Sequence, residues 1–347
     1  MKEILILGAN KYKEWLTYAI EYMAEALSIE PSVRVRAWGK YREGFISGLS
    51  LKEAIEHIYG NKKQPDVIML HVGMFNTDDK DDKLMIKGLE ELSKDIILIF
   101  RCDDPWRFYT KLLEIYEKIQ PHFILVVSSI YERLFNEKLK GTKTKTYMFP
   151  CDVGRRYFNM GIDRKYDLGL IGRCHNNDKD ISAWKLKLHL KVFEEGNLGI
   201  VRRSVGADNY LDRYSTLVLN LNQCLTSWNS PVCPKGMEKG SYSTPLRFIE
   251  APSCGAVMVC PFDYPELNEY YYPKKAYINC DSDLSKAIKQ IKELRKNTEA
   301  FLELQNIAYR YVMANHQTKN RVDFILDLIN GNTDTDVRNY YKMPLNE

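Results

Sequence analysis

Short apolar runs rich in β-branched residues alternate with longer stretches of helical periodicity through the first half of the chain. This alternation is typical of a parallel sheet covered by helices on both faces. It predicts strands at Ile4–Gly8, Val33–Trp38, Asp66–His71, Asp95–Phe100, Phe123–Ser128 and Thr146–Phe149. The stretches between them predict amphipathic helices at Glu14–Leu27, Leu51–Tyr59, Lys83–Leu92, Trp106–Ile119 and Ile130–Leu139. The first half of the chain is therefore predicted to form a Rossmann-like α/β domain.

The same alternation starts again after a polar, irregular stretch that runs from Pro150 to Arg164. It predicts strands at Tyr166–Ile171, Gly199–Arg202, Leu217–Leu221, Ala256–Cys260 and Ala276–Asn279, with helices at Ser182–Glu194, Thr244–Pro252, Leu284–Leu294, Thr298–Ala314 and Lys319–Ile329. We predict one Rossmann-like domain at 1–160, a second at 161–315, and a terminal helix and tail at 316–347 that cross back to the first. Ligands bind beyond the carboxyl ends of parallel strands, so two facing sheets predict an active-site cleft.

Composition excludes several classes of protein. The formal charge of +4 gives no argument for nucleic acid or an anionic membrane as a partner. No signal peptide and no apolar segment of ~20 residues is present, so we expect a cytoplasmic chain. The eight cysteines and six histidines are dispersed, which predicts reduced structural thiols and no metal site. The three-glycine dinucleotide fingerprint and the phosphate loop are both missing, which disfavours a nicotinamide enzyme and an ATPase.

The most informative stretch is STPLRFIEAPSCGAVMVC, from Ser243 to Cys260. It resembles the C-terminal signature of the spore maturation protein (CgeB-like) glycosyltransferases, in which an Arg, an aromatic residue and a Glu open a helix. Ala, Gly and an apolar strand follow in that signature, and the matching residues here are Arg247, Phe248, Glu250, Ala251, Gly255 and Val257. The family places the aromatic residue next to the Glu, whereas Ile249 intervenes here.

The resemblance extends along most of the chain. It includes YDLGLIGR, LVLNLNQ, Tyr264–Tyr270, YRYVMANHQTKNRVDFIL near the end, and RCDDPWRF in the first half. It implies a GT-B fold, in which two Rossmann-like domains face each other across a cleft. It also implies a hexosyltransferase-like enzyme that takes a sugar from a UDP-sugar or GDP-sugar, as co-substrate, without a cofactor or a metal.

The resemblance and the local chemistry together predict a donor site in the second half. Ser243 and Thr244 open the predicted helix, and their hydroxyls either cap that helix or meet phosphate. Glu250 matches the Glu that binds the ribose hydroxyls in GT-B enzymes, and an exposed helix carboxylate is the alternative. Arg247 either contacts phosphate or pairs with Glu250 three residues later.

Two further cations are predicted to face the diphosphate. Arg173 follows the strand that ends at Gly172, and Lys179 lies six residues on. GT-B enzymes place an Arg and a Lys in this loop, but a solvated loop lysine is an equal interpretation of Lys179.

The first half is expected to bind the acceptor. An inverting transferase needs a general base near the acceptor hydroxyl. Asp104 in RCDDPW is the first prediction for this base, and His71 in HVGMFN is the second. Asp before Pro is also an ordinary turn or helix cap, and a retaining enzyme needs no such base.

Two other functions fit the same sequence. One is a catalytically idle GT-B module that binds a nucleotide sugar or a partner, and the other is a nucleotide-sugar epimerase. The acceptor stays open among glycans, proteins, lipid-linked intermediates, small molecules and modified DNA bases. The missing basic stripe mildly disfavours DNA.

Overall fold

The computed structural model describes residues 1–8, 17–40, 42–61, 63–72, 79–103, 105–154, 157–171, 199–202, 217–228, 242–271, 276–281 and 283–344. The chain divides into two compact units. The first comprises Met1–Pro150 and Thr318–Tyr340, and the second comprises Cys151–Gln317 and Tyr341–Glu347. The ranges 1–160, 161–315 and 316–347 remain predictions.

The described residues of the first unit form a parallel six-stranded sheet in the order β2-β1-β3-β4-β5-β6. Its strands are β1 (Lys2–Leu7), β2 (Val33–Trp38), β3 (Val67–His71), β4 (Ile97–Cys102), β5 (Phe123–Val126) and β6 (Lys145–Met148). Its helices are α1 (Thr17–Ser28), α2 (Leu51–Tyr59), α3 (Lys80–Leu92), α4 (Pro105–Ile119) and α5 (Ser129–Lys138). Every residue of β3 and β5 is buried, as expected for central parallel strands covered on both faces.

Local capping residues mark the start of two of these helices. Ser50 and Glu53 form a reciprocal capping box at the start of α2, and Asp79 accepts backbone hydrogen bonds at the start of α3. Gly88 lets α3 approach α2, because a Cβ at this position would lie 2.4 Å from Cβ of Leu51. The sequence thus specifies both helix starts and the close packing between the two helices.

The described residues of the second unit form a parallel five-stranded sheet in the order β11-β10-β9-β7-β8. Its strands are β7 (Tyr166–Ile171), β8 (Gly199–Arg202), β9 (Cys224–Trp228), β10 (Val257–Cys260) and β11 (Tyr277–Asn279). Its labelled helices are α6 (Arg247–Ser253), α7 (Leu284–Lys296) and α8 (Thr298–Asn315), with a π-helical turn at Leu267–Tyr271. The predicted α/β class with two parallel sheets is confirmed.

One predicted strand is wrong. Residues 217–222 are helical, and the strand lies just after them at Cys224–Trp228. Leucines at alternate positions in LVLNL imitate a strand, but Leu219 is exposed whereas Val218 and Leu221 are buried, which is helical spacing. The true strand was not predicted because it contains polar residues. One of them, Thr226, is buried, and its hydroxyl donates a hydrogen bond to the Asp167 carbonyl at 2.6 Å.

The terminal helix α9 (Val322–Ile329) belongs to the first unit, preceded by a 3-10 turn at Thr318–Arg321. Phe324 on α9 packs against Tyr147 and Phe149, with ring centroids 5.7 and 5.9 Å apart. Among the described helices, none is long and apolar enough to cross a membrane.

Candidate functional site

The Glu250 carboxylate is buried in the second unit, on the first turn of α6. Its Oε1 accepts a hydrogen bond from the Tyr157 hydroxyl, and its Oε2 lies 3.0 Å from Nη1 of Arg247. A spacing of three residues on a helix places Arg247 and Glu250 on one face. The interpretation of Glu250 as an exposed helix carboxylate is wrong, since only 4% of the residue is exposed.

The predicted pair between Arg247 and Glu250 is present. Arg247 keeps 23% of its side chain exposed, so the guanidinium is partly accessible. A guanidinium carries five N–H donors, and one contact to a carboxylate leaves others for a second anion. The predicted contact of Arg247 with phosphate remains a prediction.

Ser243 and Thr244 do not cap the helix. The N-cap residue of α6 is Leu246, and no side chain caps this end. The backbone N–H of Thr244 instead donates to the Glu266 carboxylate at 2.7 Å, and its Oγ1 accepts a hydrogen bond from Tyr264 at 3.0 Å. Both residues are fully buried, so their predicted contact with phosphate requires that the segment rearranges.

A partly buried arginine, Arg164, holds the segment that supplies Tyr157. Nη1 of Arg164 donates to two backbone carbonyls, those of Leu221 and Cys224, at 3.1 and 3.0 Å. Its Nη2 donates to Oδ1 of Asn159 and to the Cys254 carbonyl, at 3.1 and 3.0 Å. Burial lowers the pKa of Arg164 to about 10, which still leaves a cation at neutral pH. Arg164 therefore ties this segment to both the 217–222 helix and the end of α6.

A second polar cluster lies in the first unit, at the carboxyl ends of β3 and β4. His71 and Arg101 are register partners on these adjacent parallel strands. Asp103 follows Arg101 by two residues, which directs both side chains to one side of the chain. Nε of Arg101 lies 2.9 Å from Oδ1 of Asp103, and Nε2 of His71 lies 3.3 Å from Oδ2. One carboxylate thus links an arginine and a histidine.

The cluster has a defined charge. Burial by itself raises the pKa of Asp103, but the Arg101 guanidinium and the His71 hydrogen bond outweigh burial and hold that pKa well below its ordinary value. Asp103 is therefore a carboxylate at neutral pH. The Arg101 guanidinium also lies over the Phe149 ring, with Cζ 5.3 Å from its centroid.

The predicted site residues that the structure describes divide into three groups. Arg247 and Glu250 are in contact, Ser243 and Thr244 are buried just before α6, and His71 lies in the first unit. The predictions for Asp104, Arg173 and Lys179 lie outside the described residues. Within the part of the chain that the structure describes, no group of three or more His, Cys, Asp or Glu side chains could hold a metal ion.

Three contributing residues were missed from the sequence. Tyr157 is separated from Glu250 by 93 positions, so no local pattern reveals their hydrogen bond. Arg101 and Asp103 did leave a signal, because two charged residues at alternate positions end an otherwise apolar strand. Charge at the carboxyl end of a parallel strand is where a site is expected.

Residues 182–327 match the family model described as glycosyl transferase-like. This range contains α6 with both Arg247 and Glu250. No curated protein matches the chain in sequence.

Solved structures with GT-B architecture resemble this chain over nearly its full length. An alpha-glucosyltransferase solved with UDP and a 13-mer DNA containing an HMU base has a TM-score of 0.63 at 13% identity, covering 95% of this chain and 99% of its own. T4 phage BGT, solved with its UDP-glucose substrate, has a TM-score of 0.58 at 11% identity, covering 95% and 99%. Sucrose-phosphate synthase from Thermosynechococcus elongatus has a TM-score of 0.59 at 11% identity, covering 96% and 100%. The predicted GT-B fold is confirmed.

Proposed function

We propose that the protein is a glycosyltransferase that moves a hexose from a UDP-sugar to an acceptor, and that the second unit binds the donor. The observation that carries this proposal is the glycosyl transferase-like match at 182–327, which spans the Arg247–Glu250 pair with its buried carboxylate. The UDP or UDP-glucose named for two of the structures of similar fold favours UDP over GDP as the donor nucleotide.

The donor-binding chemistry follows from these side chains. Glu250 accepts hydrogen bonds from the ribose hydroxyls. Because Tyr157 and Arg247 already fix its carboxylate, Glu250 loses no further side-chain entropy when the ribose binds. Arg247 contributes positive charge toward the diphosphate, together with Arg173 and Lys179, which precede the matched range. The proposed reaction needs no metal, because this charge stabilises the leaving diphosphate as the glycosidic bond breaks.

The acceptor is proposed only as a hydroxyl compound. The alpha-glucosyltransferase of similar fold was solved with DNA, which supports assaying modified DNA bases beside glycans, proteins, lipid-linked intermediates and small molecules. Membership of the CgeB-like family and a cytoplasmic location belong to the same proposal.

The first experiment is the thermal midpoint of the protein with UDP, GDP, ADP and their hexose conjugates. A ligand that binds only the folded state at 100 times its Kd stabilises that state by about 2.7 kcal/mol, so one diphosphate should raise the midpoint selectively. Glu250→Gln should reduce this rise, because the amide lacks the negative charge that Arg247 and the ribose hydroxyls meet. Glu293→Gln, at an exposed position on α7, is the matched control and should leave it unchanged.

Donor hydrolysis without added acceptor then separates the alternatives. A transferase releases free sugar slowly from the donor that it binds, and an epimerase returns an isomerised nucleotide sugar. Binding without either product would support the idle module, and a folded protein that responds to no nucleotide would contradict the proposal.

A further inference from the structure

The second unit has a cluster of large apolar side chains that is open to solvent. Its members are Phe158, Met160, Ile162 and Leu219, which are 46, 38, 38 and 43% exposed. They are four of the eight large hydrophobic residues that the described part of the chain leaves exposed. Single exposed apolar side chains are ordinary, but a cluster of them marks a surface that meets another molecule.

Hydrogen bonds bring these side chains together. Asn222, in the helical residues 217–222, accepts from the Met160 N–H at 2.6 Å and donates to the Phe158 carbonyl at 3.0 Å. Leu219 lies three residues before Asn222, so it is on the helix face that meets this segment. The exposed apolar side chains therefore form one surface instead of several separate positions.

The segment that carries three of these side chains is a fixed turn. Gly161 has a φ of +67°, and its N–H donates to Oδ1 of Asn159 at 3.1 Å. Apart from its chain neighbours, no atom lies within 4 Å of a Cβ added to Gly161, so the turn projects into open space. We call residues 158–162 the apolar tip. Because its backbone is already held, the tip loses little conformational entropy when it meets a partner.

The apolar tip lies at the amino edge of the second sheet. The N–H groups of Lys165 and Tyr166, just after the tip, donate to the Gln223 carbonyl at 2.9 and 3.0 Å. Tyr166 and Cys224 begin β7 and β9 and are register partners on these parallel strands. Ligands of open α/β sheets bind beyond the carboxyl ends of the strands, at the opposite edge. The apolar tip therefore lies away from the edge at which the donor is expected.

Basic residues border the apolar tip. Nη1 of Arg295, at the end of α7, donates to the Arg164 carbonyl at 2.8 Å, which brings this end of the helix beside the tip. Lys165 and Lys296 are exposed there. The apolar side chains and these cations thus share one side of the second unit.

Helix α7 extends the positive charge beyond the tip. Its sequence LSKAIKQIKELRK contains five basic residues and one acidic residue. Asp281 pairs with Lys286, and Asp167 pairs with Arg295 at 3.3 Å, which still leaves a net positive charge on the helix. The formal charge of +4 for the whole chain does not reveal this local surface.

We propose that this surface attaches the protein to an anionic lipid bilayer, with the apolar tip in the interfacial region and the basic residues on the headgroups. Buried apolar area and attraction to anionic lipids together set the strength of peripheral binding. A projecting turn is too small for a stable protein–protein interface, which buries about 800 Å² on each partner, whereas a bilayer deforms around it. The inference does not depend on the proposed glycosyltransferase function.

Pelleting with vesicles tests the apolar part of the surface. The probes are vesicles of phosphatidylcholine alone and of phosphatidylcholine mixed with phosphatidylglycerol. The wild-type protein should bind the anionic vesicles more tightly, and high salt should release it. The double variant Met160→Ser/Ile162→Ser should bind about 10-fold more weakly, because these side chains no longer enter the bilayer. Ile29→Ser, at a 74% exposed position of the first unit, is the matched control and should bind like the wild-type protein.

Charge variants test the electrostatic part. Lys165→Gln and Lys296→Gln should each lower the affinity for anionic vesicles about five-fold, whereas Lys52→Gln, at an exposed position on α2, should leave it unchanged. Asp163 is an exposed acid beside the tip, so Asp163→Lys should raise the affinity. Urea unfolding of each variant should match that of the wild-type protein, because every substituted side chain is exposed.

The outcomes separate the bilayer from other partners. A wild-type protein that does not pellet with anionic vesicles at low salt would overturn the proposal, and so would equal binding by Ile29→Ser and the double variant. A concentration-dependent dimer that the double variant abolishes would assign the surface to a second copy of the chain and would also overturn it. UDP affinity should be equal in the wild-type protein and the double variant, so failure of vesicle binding leaves the proposed function standing, and failure of UDP binding leaves this proposal standing.

Discussion

At the scale of single residues, two carboxylates organise the two clusters: Glu250 is buried, and the Asp103 side chain is 16% exposed. Glu250 is held by a tyrosine hydroxyl and an arginine, and Asp103 by an arginine and a histidine. In both clusters an arginine neutralises the carboxylate, which reduces the cost of burying the charge. Removing one partner should therefore lower the free energy of unfolding by more than an exposed ion pair contributes to it.

Tyr157→Phe should destabilise the second unit, because the hydroxyl is the buried donor to Oε1 of Glu250. Hydrogen bonds to charged groups contribute about 1.5–3 kcal/mol, and urea unfolding should show a loss of this size. UDP affinity should fall as well if the carboxylate binds ribose. Tyr309→Phe, at a half-buried position on α8, is the control, and equal losses in the two variants would contradict the prediction.

Asp103 should make the free energy of unfolding depend on pH in the acidic range. Its pKa is lower in the folded state than in the unfolded chain, so its stabilisation is complete at neutral pH and is lost as the pH falls through the folded value. The urea midpoint of the wild-type protein should therefore fall more steeply than that of Asp103→Asn below about pH 4. Parallel curves for the two proteins would show that Arg101 and His71 do not hold the carboxylate.

At the scale of elements, the junction between α6 and β10 is tightly packed against the segment that carries Tyr157. Gly255 has a φ of +76°, and a Cβ there would lie 2.3 Å from Nη2 of Arg164 and 2.8 Å from Asn159. Its carbonyl also accepts a hydrogen bond from Nε2 of Gln305 on α8, at 2.6 Å. A glycine is required both by the backbone conformation and by the close approach of Arg164.

Gly255→Ala should lower the free energy of unfolding by about 2–4 kcal/mol, because it combines left-handed strain with displacement of the hydrogen-bonded Arg164 guanidinium. Gly161→Ala is the matched control in the same unit, since Gly161 has a φ of +67° with no atom within 4 Å of its added Cβ. This control should lower the free energy of unfolding by only about 1 kcal/mol, because it adds the strain of a left-handed backbone without a side-chain clash. Equal losses in urea unfolding would mean that the contact with Arg164 contributes nothing.

At the scale of the whole molecule, the chain ends in the second unit after contributing α9 to the first. Oδ1 of Asn315 accepts hydrogen bonds from the backbone of Lys342 and Met343, at 2.8 and 3.0 Å, and its Nδ2 donates to the Met343 carbonyl at 2.8 Å. The Tyr341 hydroxyl donates to the Tyr270 carbonyl at 2.6 Å. The tail is thus anchored to the second unit by a fully buried asparagine.

Truncation after Tyr340 should destabilise the second unit, because it leaves the Asn315 amide without these three partners. The expected loss is about 1–3 kcal/mol, with faster hydrogen exchange along α8. Removal of 345–347 alone is the control and should have no effect. Unchanged exchange along α8 in the longer truncation would contradict this role of the tail.

Sequence patterns predicted the repeated strand–helix order well, because burial on both faces leaves continuous apolar runs such as those of β3 and β5. They failed at residues 217–228, where a helix shows alternating leucines and the buried strand β9 contains Thr226 and Ser227. The Thr226 hydroxyl is tolerated in the core because a tertiary neighbour, the Asp167 carbonyl, accepts its hydrogen bond. Periodicity alone cannot show such a partner.

The sequence by itself determined the α/β class and the two parallel sheets, because strands buried on both faces leave apolar runs between helical stretches. It gave the pair of Arg247 and Glu250 as one of two alternatives, because their spacing of three residues lies within one helix. Only the tertiary structure decided that Tyr157 holds Glu250, that Arg164 ties four backbone and side-chain acceptors together, and that His71 meets Asp103. These contacts join residues that lie far apart along the chain. Their geometry arises from strand register and helix packing, which no local pattern of residues specifies.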